Sequence, residues 1–155
     1  MAATKSRVGK GTTLGYDTSS PYSTYVLCAE MVRLGGNEID FGQVECTHLL
    51  SDDDAKEFIP AGFTDYGMFD MTGNYYSDEI DNLLVAAVTK TVFGWQVKIP
   101  DKKNSGGADT TATFMGYIQK LKPFDEANVD GNTPLRHSMS VKITGKVTWV
   151  KSTSA

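Results

Sequence analysis

VECTHLLSDDDAKEFIPAGFTDYGMFDMTGNY, residues 44–75, contains two stretches of opposite character. In the second, Phe69, Met71 and Tyr75 alternate with Asp70, Thr72 and Asn74, the period-two pattern of a half-buried strand over Met68 to Tyr76. In the first, residues 47–66 keep neither the strand nor the helix period, yet contain Leu49, Leu50, Phe58, Ile59 and Phe63. Loops of about twenty residues are uncommon in compact domains and are usually functional or disordered. One carrying this many large apolar groups must pack on its own domain or on a partner.

Working outward, the spacing predicts strands near Tyr25 to Leu34 and from Ile39 to about Cys46, joined by Gly35-Gly36-Asn37 as a hairpin turn. Ile39 and Phe41 have one parity and Val44 and Cys46 the other, so a bulge at Gly42 would restore a single apolar face. Downstream, Ile80, Leu83, Leu84, Ala87 and Val88 form one stripe of a helix over Asp78 to Lys90, with Ser77 or Asp78 as its cap. Strands follow at Val92 to Ile99, at Thr111 to Leu121 and at Arg136 to Val150, the last burying Met139, Val141, Ile143, Val147 and Trp149. About fifteen residues is long for a strand. Either a bend at Gly145 divides it, or it runs on to pair with something outside the domain.

The implied fold class is mainly β with one helix: a β-sandwich or partly closed barrel of about six strands, its open flank covered by that helix. Its divisions are an extended N-terminal arm (1–23, Gly/Ser/Thr-rich), a single domain (24–151) carrying the interaction loop 47–66, and a short tail (152–155). At 155 residues one domain can bury about two-thirds of its unfolded surface.

The net charge of −4 conceals an asymmetry. The first ten residues carry Lys5, Arg7 and Lys10 and no acid, whereas Glu30 to Asp70 holds ten acids against Arg33 and Lys56. A basic arm and an acidic middle can attract each other within one chain or between copies. No apolar stretch is long enough to span a bilayer, and the N-terminus lacks the apolar core of a signal peptide. Cys28 and Cys46 lack metal-ligand spacing and read as small buried thiols.

Nothing reads as a catalyst, a cofactor site or a metal site. His48 and His137 have no second imidazole or thiol at ligand spacing. Asp52-Asp53-Asp54 fails the calcium-loop pattern, which needs Gly at the sixth position where Glu57 stands. Gly9-Lys10-Gly11-Thr12 lacks the earlier Gly, the adjacent Ser or Thr and the preceding strand of a phosphate loop. An acidic chain without a Lys/Arg stripe is also a poor nucleic-acid binder.

Taken in order, Ser51 to Asp54, Ala55-Lys56-Glu57-Phe58-Ile59-Pro60, Ala61-Gly62, Asp65 and Gly67 resemble the major tail tube proteins of long-tailed, non-contractile bacteriophages. The helix, Ile99-Pro100-Asp101, ATFMGYIQKLKPF and the closing VKITGKVTW continue the likeness over about residues 25–150. Ala61 departs from the pattern, in which Gly often follows Pro directly.

The resemblance implies a virion structural protein, made and assembled in the host cytoplasm. Six copies would form a ring and rings would stack into the tail tube, with the sheets joining into one barrel. The tape-measure protein and then the genome would occupy its lumen, without specific DNA binding and without a membrane or cofactor. Leu49, Leu50, Phe58, Ile59 and Phe63 would then make ring contacts, together with Lys5, Arg7 and Lys10 of the arm. Glu30, Glu38, Asp40 and Glu45 would be candidates for an acidic, non-adhesive lumen wall. A related tube or tail-terminator ring, as in secretion systems, and a monomeric β-sandwich binding module are the alternatives.

Overall fold

The computed structural model describes residues 9–19, 22–28, 30–48, 55–125, 127 and 129–154. Its elements are β1 (Thr13–Asp17), β2 (Val26–Leu27), β3 (Met31–Gly35), β4 (Gln43–Glu45), β5 (Phe58–Pro60), β6 (Met68–Asn74), α1 (Ser77–Val88), β7 (Phe93–Ile99), β8 (Thr110–Lys122) and β9 (Arg136–Val150). Seven strands form one antiparallel sheet in the order β2-β1-β7-β8-β9-β6-β3, and β4 and β5 form a separate two-stranded ribbon. The sheet curls until β1 approaches β3 from the other end of the order, so one sheet supplies both walls of a partly closed barrel.

The apolar residues that alternate in β6, β7 and β9 fill that barrel together with two from β8, for which no clean alternation was expected. Phe69 and Met71 of β6, Phe93 and Trp95 of β7, Phe114 and Ile118 of β8, and Met139, Val141 and Ile143 of β9 are buried together. Tyr16, Phe93, Trp95, Phe69 and Phe114 form a chain of ring contacts with centroids 4.8 to 6.1 Å apart, within the range of favourable aromatic pairs. Helix α1 closes the flank with Ile80 and Leu83, both buried.

Several expectations change. The stretch assigned to the arm contributes β1, where Leu14 and Tyr16 are buried and Thr13–Asp17 pairs with β7. Asp17 anchors that segment by accepting hydrogen bonds from the Ser19 hydroxyl (2.6 Å) and from the backbone N–H groups of Ser19, Ser23 and Thr24. These bonds, the Ser19 hydroxyl first, pull its carboxyl down to about 2. The strand expected over 25–34 breaks into β2 and β3 at Glu30, which adopts φ +48. The helix begins at Ser77 with Tyr76 as cap residue and no side-chain cap bond, and it stops before Lys90, which takes φ +52. The apolar stripe is split: Leu84 and Val88 face solvent, whereas Leu83 lies in the core and Ala86 and Ala87 pack against it.

Cys28 is buried as expected, and that burial raises its thiol pKa, but Cys46 is exposed on the ribbon. β9 does not divide between two sheets: it runs as one strand, Arg136–Val150, in the seven-stranded sheet, with an irregularity and not a break at the expected point. Gly145 has φ +77, and the β8–β9 register shifts between Thr113 and Met115, opposite that point. Trp149, expected inside, is 62% exposed because it lies beyond that point, where the barrel end is open.

Candidate functional site

The largest correction concerns the turn at 35–37. Residues 36–39 do not reverse the chain. β3 pairs with β6, with Gly35 opposite Asp70, and the same register continues to a bridge between Asp40 and Asp65. Beyond it Gln43–Glu45 pairs with Phe58–Pro60. Residues 31–74 are therefore the two legs of one long hairpin, whose apex lies within residues 46–57. Gly35-Gly36-Asn37 sits inside one leg, and Asn37 Nδ2 donates to the Tyr66 carbonyl across it at 2.9 Å.

Two glycines shape the hairpin. Gly67 takes φ +71, and a Cβ there would collide with the Glu38 carbonyl oxygen, so only glycine lets the legs pass this closely. Its own carbonyl accepts from Ile143 N–H (3.1 Å), the last backbone contact between this leg and β9. Lys142, on the neighbouring rung, donates to both carboxylate oxygens of Asp65 (2.8 and 3.1 Å), which lowers the Asp65 pKa. At Gly42, φ +63 accompanies the expected irregularity: Phe41 and Gly42 stand against the four residues 61–64.

Beyond that point the hairpin is on its own. Among the described residues, β4 and β5 touch each other and no other strand or helix. An isolated two-stranded ribbon is marginally stable in water at best. Even so, Phe41, Val44, Phe58, Ile59 and Phe63 are all exposed, Phe63 at 92%. An apolar patch on an unsupported ribbon marks a contact surface.

The structure thus brings Phe58, Ile59 and Phe63 together on the hairpin and adds Ile39, Phe41 and Val44 from its other leg. The split parity between Ile39/Phe41 and Val44/Cys46 was the available signal: a strand with apolar groups on both faces needs cover on both. Lys10 is exposed in the turn before β1. Leu49, Leu50, Lys5, Arg7 and Asp52 to Asp54 lie outside the described residues. Of the acids, Glu38, Asp40 and Glu45 are exposed along one hairpin leg, Glu45 paired with Lys56 at 3.2 Å. Glu30 lies at the other end of the strands, accepting from Asn74 Nδ2 (3.2 Å), so the four do not form one surface.

Among the described residues no group of three or more His, Cys, Asp or Glu side chains is placed to hold a metal ion, and no helix is long and apolar enough to cross a membrane. His137 is fully buried, with Nδ1 3.0 Å from the Asn74 carbonyl, and His48 is exposed near Glu57.

No protein-family model matches the sequence, and no curated protein is significantly similar to it. Solved structures do match. The tail of an empty gene transfer agent particle, refined with helical C6 symmetry, superposes with a TM-score of 0.69 at 15% identity, over 94% of this chain and 99% of that one. The SPP1 tail tube gives 0.65 at 9% identity, over 92% and 77%. A structure of the sheath/tube terminator of an extracellular contractile injection system gives 0.70 at 8%, over 96% and 99%. At these identities the likeness is one of fold. The curled sheet with one flanking helix is the fold of the tail tube proteins of phages and related injection systems.

Proposed function

We propose that the chain is a structural virion protein whose copies form sixfold rings that stack into a tail tube, the conduit through which DNA leaves the particle. The observation that carries this reading is the ribbon β4–β5, apolar on exposed faces and in contact with no other described strand or helix, on a fold shared with tube-forming proteins. Phe58, Ile59 and Phe63 are its anchors on an adjacent copy. The tape-measure protein and then the genome would occupy the lumen, assembly would take place in the host cytoplasm, and no catalytic step is required. A wall that lets DNA slide must not hold phosphates, and the stem acids Glu38 and Asp40 are suited to face such a channel.

Size-exclusion chromatography and negative-stain imaging of the purified protein test the proposal. Hollow tubes are the expected result, and a stable monomer at high concentration overturns it. A second reading, a ring that ends a tube, is favoured by the similarity to the tube-terminator structure. Closed rings that never stack would select it.

A further inference from the structure

The ribbon needs a receptor, and the same chain carries a surface that fits it. β6 pairs with β9 only as far as Lys142, because the hairpin peels away at Gly67. From residue 144 to Val150, β9 is paired to β8 on one side and, among the described residues, has no strand paired to its backbone on the other. Beside this edge lies a cavity of about 390 Å³ lined mainly by apolar groups, among them Leu34, Val97, Ile99, Phe114, Val147 and Trp149. An open strand edge over an apolar groove is the arrangement that accepts an added strand: backbone hydrogen bonds hold it and the groove takes alternate side chains.

The charges around the cavity say which strand. β7 ends, β8 begins and β9 ends at this pole, and Lys10, Lys98, Lys102, Lys103, Lys146 and Lys151 all stand exposed here. The two acids of the same region are engaged internally. Asp101 accepts from the backbone N–H and the hydroxyl of Thr110, both at 2.7 Å, and Asp109 accepts from Lys102 N–H and faces Lys98 at 3.6 Å. The part of the hairpin beyond β3 and β6 has the opposite balance: Glu38, Asp40, Glu45, Glu57 and Asp65 against Lys56 among the described residues of 36–67. Leu34 to Asn37 and Ile39 of the chain's own hairpin line the cavity, but its ribbon does not, and among the described residues that ribbon touches no other strand or helix.

We infer that the open edge of β9, with its apolar cavity and lysine rim, is the receptor for the β4–β5 ribbon of a second copy. This rests on the self-assembly proposed above and names the surface that completes it. Phe58, Ile59 and Phe63 fill the cavity while the ribbon's carboxylates meet the lysines. Because donor and receptor are different surfaces of one chain, the contact is heterologous and repeats from copy to copy.

Charge reversal in both partners tests it. The triple variant Lys102→Glu/Lys103→Glu/Lys151→Glu and the double variant Glu45→Lys/Glu57→Lys alter exposed groups, and each is checked for folding by circular dichroism. Each alone is expected to raise the concentration needed for assembly at least about tenfold. An equimolar mixture is expected to recover part of that loss. Trp149 supplies an independent signal: it is 62% exposed whereas Trp95 is fully buried, so assembly shifts the tryptophan emission to the blue. Wild-type assembly without that shift, or a triple variant assembling like wild type, overturns the receptor and leaves the tube reading standing. Wild-type assembly into closed rings or dimers, lost in each variant and regained in the mixture, supports the receptor and overturns the tube. A monomeric wild type overturns both.

Discussion

Lys142 and Asp65 meet at 2.8 Å on the rung where the hairpin leaves the sheet, which makes this ion pair the tie between the contact element and the barrel. Lys142 is part-buried on β9 and Asp65 is exposed on the hairpin leg. The pair therefore sets where the ribbon points more than how stable the fold is. Lys142→Met is expected to leave the thermal midpoint nearly unchanged while slowing assembly measured by light scattering. A large drop in midpoint with normal assembly would show that the tie is structural only.

Gly67 is the other determinant of that departure. Gly67→Ala forces a Cβ into the Glu38 carbonyl at a positive φ, and a cost of about 1–3 kcal/mol is expected by urea denaturation. Gly36→Ala, in the same hairpin with open space around it, should fall within about 0.5 kcal/mol of wild type. Equal effects at the two positions would contradict the assigned backbone path.

Phe58→Asp/Ile59→Asp places carboxylates on a ribbon that contacts no other strand or helix among the described residues. A folded monomer unable to assemble is the expected product, read by sizing and imaging. Normal assembly of this variant would remove the anchor role.

The helix offers a paired test. Leu83 is fully buried and Leu84 is 41% exposed. Leu83→Ala should cost about 2–5 kcal/mol, and Leu84→Ala well under half of that. Denaturation midpoints of the two variants check the helix rotation directly.

Asp17 is held at about 2 by the Ser19, Thr24 and Ser23 donors, below the usual carboxylate value near 4. The ionised form is favoured by folding, so its contribution is complete above about pH 4 and is lost as the pH falls toward 2. Asp65 and Asp101 are shifted in the same direction. Asp17→Asn should flatten the stability profile between about pH 4 and 2, measured by denaturation at each pH, and an unchanged slope would refute the role.

Residue alternation by itself determined the strands later seen as β6, β7 and β9, and apolar spacing determined the single helix, because side-chain period follows from local backbone geometry. Composition marked the acidic, apolar stretch at 47–66 as needing cover, since exposed aromatic groups are costly whatever the fold. Pairing was different. Gly35-Gly36-Asn37 is good turn chemistry, yet β3 continues past it, because its partner β6 lies thirty-odd residues away and local propensity cannot weigh a distant ladder. β1 was hidden for the same reason: Thr13–Asp17 looks like linker until β7 supplies its hydrogen bonds. The sequence also could not say which half of the helical stripe faced inward, as at Leu83 against Leu84, or that Trp149 lay past the end of the barrel. Burial depends on where neighbouring elements stop, and only the tertiary structure decides that.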